Sequence, residues 1–439
     1  MRLDVSAWAV IGMMLGFAQS LLAQDGVKPE VEGRPGGSIQ DPEKKQDDGT
    51  LRFFWKDGFK FETGDKAFKG QIAGRIQLLH TWQDSDDTIT SDGAGDPREG
   101  TEFRRVYLTI TGTVYESVEF KVEMDFAASG LSSGDRPGFA DTYIRLKGSP
   151  VGDITVGHFK EPFSLEELTS DLFITFVERS LHSVFVPARN TGIQLNGVGL
   201  EERLTWAFGF FREANGVGDL ELATSEGKTQ VTSRVTFLPL YENKGETLIH
   251  VGLGLSRRTP DADTIPSLTP APDTHVSGTP TLASGPMAAE SFLLVGFEAA
   301  AVLGPLSAQA EFVRFSTDAP SGGADIDYHA FCVQLSYFLT GERRLYKTSA
   351  GTFDRVKPQW NAFREGGAGA VEAAIRFDEI DFTDNGEGKL SAITVGVNWI
   401  LNPNTRIRFN YVLSDFEPDV SSTQDGNGTH ITLMFQFDF

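Results

Sequence analysis

Strand-length segments that alternate apolar and polar residues with period two recur along most of this chain, and that pattern restricts the fold more than any other feature. The last segment, "THITLMFQFDF", sets Ile431, Leu433, Phe435, Phe437 and Phe439 on one face and His430, Thr432, Met434, Gln436 and Asp438 on the other. "TVYESVEFKVEMDFA" repeats the arrangement, with Val118, Phe120, Val122, Met124 and Phe126 opposed to Glu119, Lys121, Glu123 and Asp125. In a soluble sandwich the apolar rows would meet in a core and the polar rows would face water. In a membrane barrel the apolar rows face lipid and the polar rows face a wet lumen. Aromatic rows on so many strands exceed what one sandwich core can cover, and the 34 Phe and 47 Gly suit strands and tight turns better than helices.

Placed by this period, strands are expected at 66–84, 101–115, 117–127, 139–149, 151–158, 189–199, 202–212, 228–240, 246–258, 289–302, 304–316, 325–340, 366–378, 389–401, 404–416 and 428–439. The spans make an even set, as bacterial barrels with both termini on the periplasmic side require. Connections near Glu116, Pro150, Glu201, Glu242, Leu303 and Asn402 are short, and those between them are long and polar. Short periplasmic turns and long external loops have this asymmetry. The expected fold is therefore all-β, a sixteen-stranded antiparallel transmembrane β-barrel. One connection breaks the rule, because residues 341–367 fall on the short side and are long.

The chain divides into an expected signal peptide, 1–23, a flexible polar lead-in, 24–50, and a barrel domain, 51–439. "MRLDVSAWAVIGMMLGFAQSLLAQDG" carries Arg2, an apolar stretch from Ala7 to Leu22 and a small residue, Ala23, at the cleavage point. "GRPGGSIQDPEKKQDDGT" has no core-forming residues. No later run of about eighteen apolar residues offers a membrane helix, so a membrane-embedded chain must be a closed barrel. One cysteine, Cys332, leaves no internal disulfide. A net charge of -22 opposes nucleic acid as a partner. The histidines at 80, 158, 182, 250, 275, 329 and 430 sit in no catalytic motif, and Gly-x-Ser-x-Gly, His-Glu-x-x-His and Walker patterns are missing. Neither an enzyme nor a cofactor or metal site is expected.

"VGHFKEPFSLEELTSDLFITFVERSLHSVFVPARNTGIQLNG" carries three spaced motifs. The first is Gly157, Phe159, Lys160, Pro162, Phe163, Ser164, Glu166, Leu168, Thr169 and Ser170; the second is Phe176, Glu178, Arg179 and Ser180; the third is Pro187, Arg189 and Gly192. In this order they resemble the phosphate-selective porin family, the porin O and P group. The likeness extends to "FRRVYLTITGTVYESVEFKVEMDF" and to "TGERRLYK" with Pro358 downstream, after which such porins carry a long insert. The resemblance implies a usually trimeric bacterial outer-membrane porin that passes small anions such as phosphate or polyphosphate. It also implies a third external loop folded into the lumen, here the connection from Lys160 to Ala188. A terminal Phe such as Phe439 resembles the signal read by barrel-assembly machinery.

Arg donates two parallel hydrogen bonds to an oxyanion, which makes Lys160, Arg179 and Arg189 the candidate anion contacts at the constriction. Glu161, Glu166, Glu167 and Glu178 lie close enough to neutralise them and pin the loop instead. The period points further cations inward: Arg105, Lys121, Arg145, Lys147, Arg234, Arg258, Arg376, Arg406 and Arg408. A ladder of weak sites suits conduction, but Glu119, Glu123, Asp125, Glu311, Glu372 and Asp378 share the inner face, so a solvated interior of mixed sign is the other reading. Much of the excess acid lies in predicted loops and the lead-in, where it need not set the field at a constriction. A weakly selective pore, and a non-conducting barrel serving as an adhesin or structural protein, are the alternatives. The Pro- and Thr-rich loop 259–286 is expected to be mobile.

Overall fold

A polar row that faces water and an apolar row that faces lipid need a sheet without edges, and the chain closes one. The computed structural model describes residues 50–55, 58–85, 98–127, 138–214, 229–271, 282–364, 366–419 and 425–439. The expected signal segment and the lead-in up to residue 49 lie outside the described residues.

The barrel strands, in chain order, are β1 (Phe68–Ser85), β2 (Arg98–Val114), β3 (Val118–Asp125), β4 (Gly138–Leu146), β5 (Asp153–Lys160), β6 (Arg189–Gly199), β7 (Leu204–Arg212) and β8 (Gln230–Glu242). They continue as β9 (Thr247–Arg258), β10 (Ser291–Leu303), β11 (Leu306–Asp318), β12 (Asp327–Phe338), β13 (Ala370–Asp381), β14 (Lys389–Asn402), β15 (Thr405–Glu417) and β16 (Gly426–Asp438). All sixteen match the spans read from the period. Each pairs antiparallel with its sequence neighbour. Closure comes from β16 on β1, with Asp438 opposite Arg75 and Gly428 opposite Ser85. The terminal Phe439 completes that seam, its N–H and C=O each bonding Gly74 at 3.0 Å.

The two faces separate as the period requires. On β15, Arg406, Arg408, Asn410, Ser414 and Phe416 are buried, and Phe409, Tyr411 and Leu413 are exposed. On β16, His430, Thr432, Met434 and Gln436 are buried and Phe435 and Phe437 exposed. The exposed row is the surface a bilayer covers, and the buried row faces inward. Cys332 belongs to the buried row of β12 and is only 1 % exposed. A bulky, water-soluble maleimide is expected to label it stoichiometrically only after denaturation; ready labelling of the folded barrel would show that the inner face of β12 is open to water there.

Short turns on the periplasmic side are tight: Tyr115 and Glu116 (φ 47° and 60°) and Asn243 and Lys244 (φ 50° and 57°) are consecutive left-handed residues, whose twist matches the flanking strands. Beyond the C-terminus on the same edge of β1 sits an aromatic hairpin, Leu51–Trp55 paired with Phe59–Thr63. Its second strand places Phe59 opposite Ile72 and Glu62 opposite Lys69.

Two connections fold into the barrel. The long connection after β12 forms a small hairpin, Leu345–Lys347 with Thr352–Asp354. Phe353 of this hairpin is buried with Leu238 and Leu248 of the wall, and the Gly351 carbonyl accepts a 2.9 Å bond from Arg234. The rule that short turns lie on this side fails here because the extra chain has a core of its own to fill.

The expectation of a mobile loop at 259–286 is corrected for its described parts, 259–271 and 282–286. Ile265 and Leu282 are buried, as is Met287 just beyond, and Thr264–Ile265 pairs with Met287–Ala288. Composition alone hid three apolar anchors spaced among prolines and threonines.

Candidate anion constriction

The connection between β5 and β6, residues 161–188, has little regular structure, so its backbone groups need partners from elsewhere. One helical turn, α1 (Leu165–Leu168), opens it. Ser164 caps the turn by accepting from the Glu167 N–H at 3.1 Å, although its own φ is 68°. The wall carboxylate Glu311 takes the remaining donors, namely Ser164 Oγ at 2.7 Å, Leu165 N at 3.0 Å and Glu166 N at 2.7 Å. Phe163 precedes the turn and lies flat against β9 and β10, where a Cβ on Gly254 or Gly296 would come within 2.8 or 2.7 Å of its ring. Only glycine admits the ring at these two wall positions.

After the turn, bare carbonyls are met by wall guanidiniums and amides. Arg408 donates to Phe176 O at 2.8 Å and Asp171 O at 3.0 Å; Arg406 donates to Ile174 O at 3.0 Å; Asn398 donates to Thr175 O at 2.9 Å; and Arg376 donates to Glu178 O at 3.0 Å. Past the β16 seam, Asp171 ion-pairs with Arg75 of β1 and, at 2.9 Å, with Arg105 of β2. Glu161 pairs with Arg258 at 2.9 Å. A segment bonded to β1, β2, β9, β11 and β13 through β15 crosses the interior.

The crossing divides that interior unequally. Phe163, Leu181, Phe185 and Val186 join Ile265, Leu282 and Met287 and the wall residues Phe315, Tyr328, Phe382 and Phe416 in one buried apolar cluster. The external half is therefore dry along β10 to β15, and two larger open spaces lie elsewhere among the wall and the inserts. An outer cavity of about 270 Å³ is lined by Arg104, Arg105, Glu167, Arg179 and Val184. An inner cavity of about 290 Å³ is lined by Asp141, Tyr143, Arg145, Lys160 and Arg234, with Thr352 of the periplasmic hairpin.

Of the three sequence candidates, Arg179 lines the outer cavity, Lys160 lines the inner one, and Arg189 is the register partner of Lys160 across the β5–β6 ladder. Lys160 Nζ lies 2.9 Å from Glu167 Oε1, and Arg179 Nε lies 2.9 Å from Glu167 Oε2. Arg189 Nε lies 2.6 Å from Asp141 Oδ1, and Lys121 Nζ lies 2.8 Å from Asp141 Oδ2. Burial alone would raise the Glu167 carboxyl, but Arg179 and Lys160 outweigh it and hold the group below its ordinary range.

The nine wall candidates divide by position. Arg105, Arg234, Arg258, Arg376, Arg406 and Arg408 are buried, bonded to the two inserts or to neighbouring carboxylates. Lys121, Arg145 and Lys147 are more open and pair with Asp141 or Glu119. Sequence reading missed Asp171, Arg75, Arg344, Phe353 and Arg355. Asp171 carries no periodic signature, since it sits in irregular chain. The overlong turn at 341–367 was the available signal for the last three, and Arg355 now pairs with Asp438 while Arg344 lies 3.5 Å over the Phe353 ring.

A family model described as phosphate-selective porin O and P matches residues 75–439. Porin O of Pseudomonas aeruginosa is 26 % identical over 416 residues, covering 88 % of this chain and 91 % of that protein. An uncharacterised protein of Caulobacter vibrioides is 27 % identical over 376 residues, covering 83 % of this chain and 71 % of its own. Among solved structures, the anion-selective porin from Comamonas acidovorans superposes with a TM-score of 0.52 at 14 % identity, covering 85 % of this chain and all (100 %) of that one. Pseudomonas putida OprB at high pH gives a TM-score of 0.53 at 11 % identity, covering 85 % of this chain and 95 % of its own. These two likenesses concern the fold. Family and fold are those of a channel, and the chain belongs to the phosphate-selective porin O and P family, a porin of the bacterial outer membrane.

Proposed function

We propose that this porin gives passive passage to small oxyanions of the phosphate class, and that Lys160, Arg179 and Arg189 form its selecting constriction. The observation that carries the reading is the placement of Arg179 at the outer cavity and Lys160 at the inner one, with Arg189 directly opposite Lys160 in the β5–β6 ladder. A wide aqueous channel screens its walls within about 8 to 10 Å, so fixed charge acts where the path is narrow. Lys121, Arg145 and Lys147 extend the basic wall inward. The family description agrees with this substrate class. Export through a signal segment ending near Ala23, recognition of the Phe439 strand by assembly machinery, and trimerisation in outer-membrane lipid belong to the same proposal.

A weakly selective pore is the second reading, favoured by one observation: each constriction cation already has a carboxylate partner. Planar-bilayer recording across a chloride gradient, followed by phosphate titration, separates the two. Anion-selective reversal with phosphate block is expected, and Lys160→Ala or Arg189→Ala should each weaken that block by about tenfold, the loss of one charge-assisted contact. A reversal potential near zero with no block would leave the weakly selective pore.

A further inference from the structure

Glu167 occupies the place a permeating oxyanion would take. One carboxylate oxygen is 2.9 Å from Lys160 Nζ and the other is 2.9 Å from Arg179 Nε. Among the described residues it is the one carboxylate within ion-pairing distance of either cation, whose remaining bonds go to backbone carbonyls of Glu166, Glu167 and Thr169. Glu167 and Arg179 line the outer cavity and Lys160 lines the inner one. The three side chains are 10 to 15 % exposed, open enough to meet solvent on one side. The backbone of Glu167 is fixed separately by Ser164, so its side chain can leave the cations without undoing α1.

We infer that Glu167 is a specificity-determining residue: a built-in counter-anion that an incoming oxyanion must displace from Lys160 and Arg179 to pass from the outer to the inner cavity. This rests on the anion reading above. A carboxylate bridging two cations bears two acceptor oxygens on one centre, as do phosphate, phosphate monoesters and carboxylates. Chloride offers one centre and no bidentate geometry. The resident carboxylate thus lowers affinity for every anion but least for those that replace both of its bonds. Its own charge persists through the neutral range, because the flanking cations hold its carboxyl below the ordinary value. A site that is already neutralised binds weakly and releases readily, which conduction requires.

The test is Glu167→Gln in the full-length porin, read by reversal potential in a chloride gradient and by block with inorganic phosphate. Removing one unit charge within a few ångströms of the path should raise the anion-to-cation permeability ratio by about three- to tenfold and lower the blocking phosphate concentration by a similar factor. Glu167→Asp keeps the charge and should leave the reversal potential at its wild-type value. An unchanged reversal potential and block in Glu167→Gln channels of normal conductance would overturn the inference. So would an equal shift in Glu167→Asp, which would make loop packing the cause. The two proposals fail separately. A cation-selective wild type sinks the anion reading, and a move toward anions in Glu167→Gln would then assign Glu167 a pore-facing charge but not displacement by an oxyanion. An anion-selective wild type indifferent to Glu167→Gln sinks only the role of Glu167.

Discussion

Asp171→Asn channels are expected to lose about 3–5 kcal/mol of the anchoring of segment 161–188, and to show larger, unsteady conductance in place of a fixed level. Asp171 lies between Arg75 and Arg105, from strands β1 and β2, and so ties the irregular chain to that part of the wall. The two arginines keep other partners, Arg75 with Glu123 at 3.2 Å and Arg105 with Glu178 at 3.3 Å. Neutralising Asp171 nevertheless leaves the buried Arg105 and the partly buried Arg75 short of one charge, and breaking a buried pair from one side costs more than the pair contributes. The barrel itself should persist, since its ladders do not pass through Asp171. Trypsin cutting at Arg179 in detergent reports release of the segment, and single-channel noise reports its effect on the path. Wild-type trypsin resistance together with a wild-type conductance level would refute the anchoring role.

The same pair fixes a pH dependence. Burial would raise the Asp171 carboxyl, but Arg75 and Arg105 outweigh it and hold the group well below its ordinary value of 3.8. A group depressed in the folded state contributes its full stabilisation above the unfolded-state value and loses it only as pH falls beneath that. The difference between wild type and Asp171→Asn should therefore stay constant from pH 8 to about 5 and shrink in stronger acid. A difference that already shrinks between pH 7 and 6 would assign the anchoring to another group.

The legible part of this molecule is the part whose side chains answer to a period. Phe435, Phe437, Arg406 and Arg408 each fell on the correct face because strand geometry leaves two choices, and lipid on one side removes one of them. The inserts answer to no period. Arg406 and Arg408 were correctly directed inward, yet their partners are carbonyls of Ile174 and Phe176, which no residue type announces. Lys160, Arg179 and Arg189 were legible only through a motif, and their shared carboxylates Glu167 and Asp141 belong to different segments that folding brings together. In the described parts of loop 259–286 composition misled, because Ile265 and Leu282 are buried in the apolar cluster and Leu268 packs against it.

Phe353→Ala should have the second large effect, a loss of about 3–5 kcal/mol where a buried aromatic ring leaves a cavity. Phe353 stands on the second strand of the periplasmic hairpin, opposite Tyr346, packed with Leu165 of α1 and with Leu238, Leu248, Ala300 and Val302 of the wall. It is the apolar contact through which the insert from below meets the loop from above, and the Phe353 N–H also reaches Thr169 Oγ1 at 3.4 Å. The ring further supports Arg344, whose guanidinium lies over its face and donates to Gln309 at 3.0 Å. Deleting it frees α1 on its periplasmic side, while Glu311 still holds the start of the turn. The expected channel keeps the barrel and its reversal potential, but conducts more because the inner cavity widens beside Thr352. Phe353→Leu retains most of the volume and should cost less than about 1.5 kcal/mol, with conductance near wild type. Equal conductance in wild type, Phe353→Ala and Phe353→Leu would show that the hairpin fills space without bracing the constriction. A rise confined to Phe353→Ala would show that the path is set from both ends of the barrel.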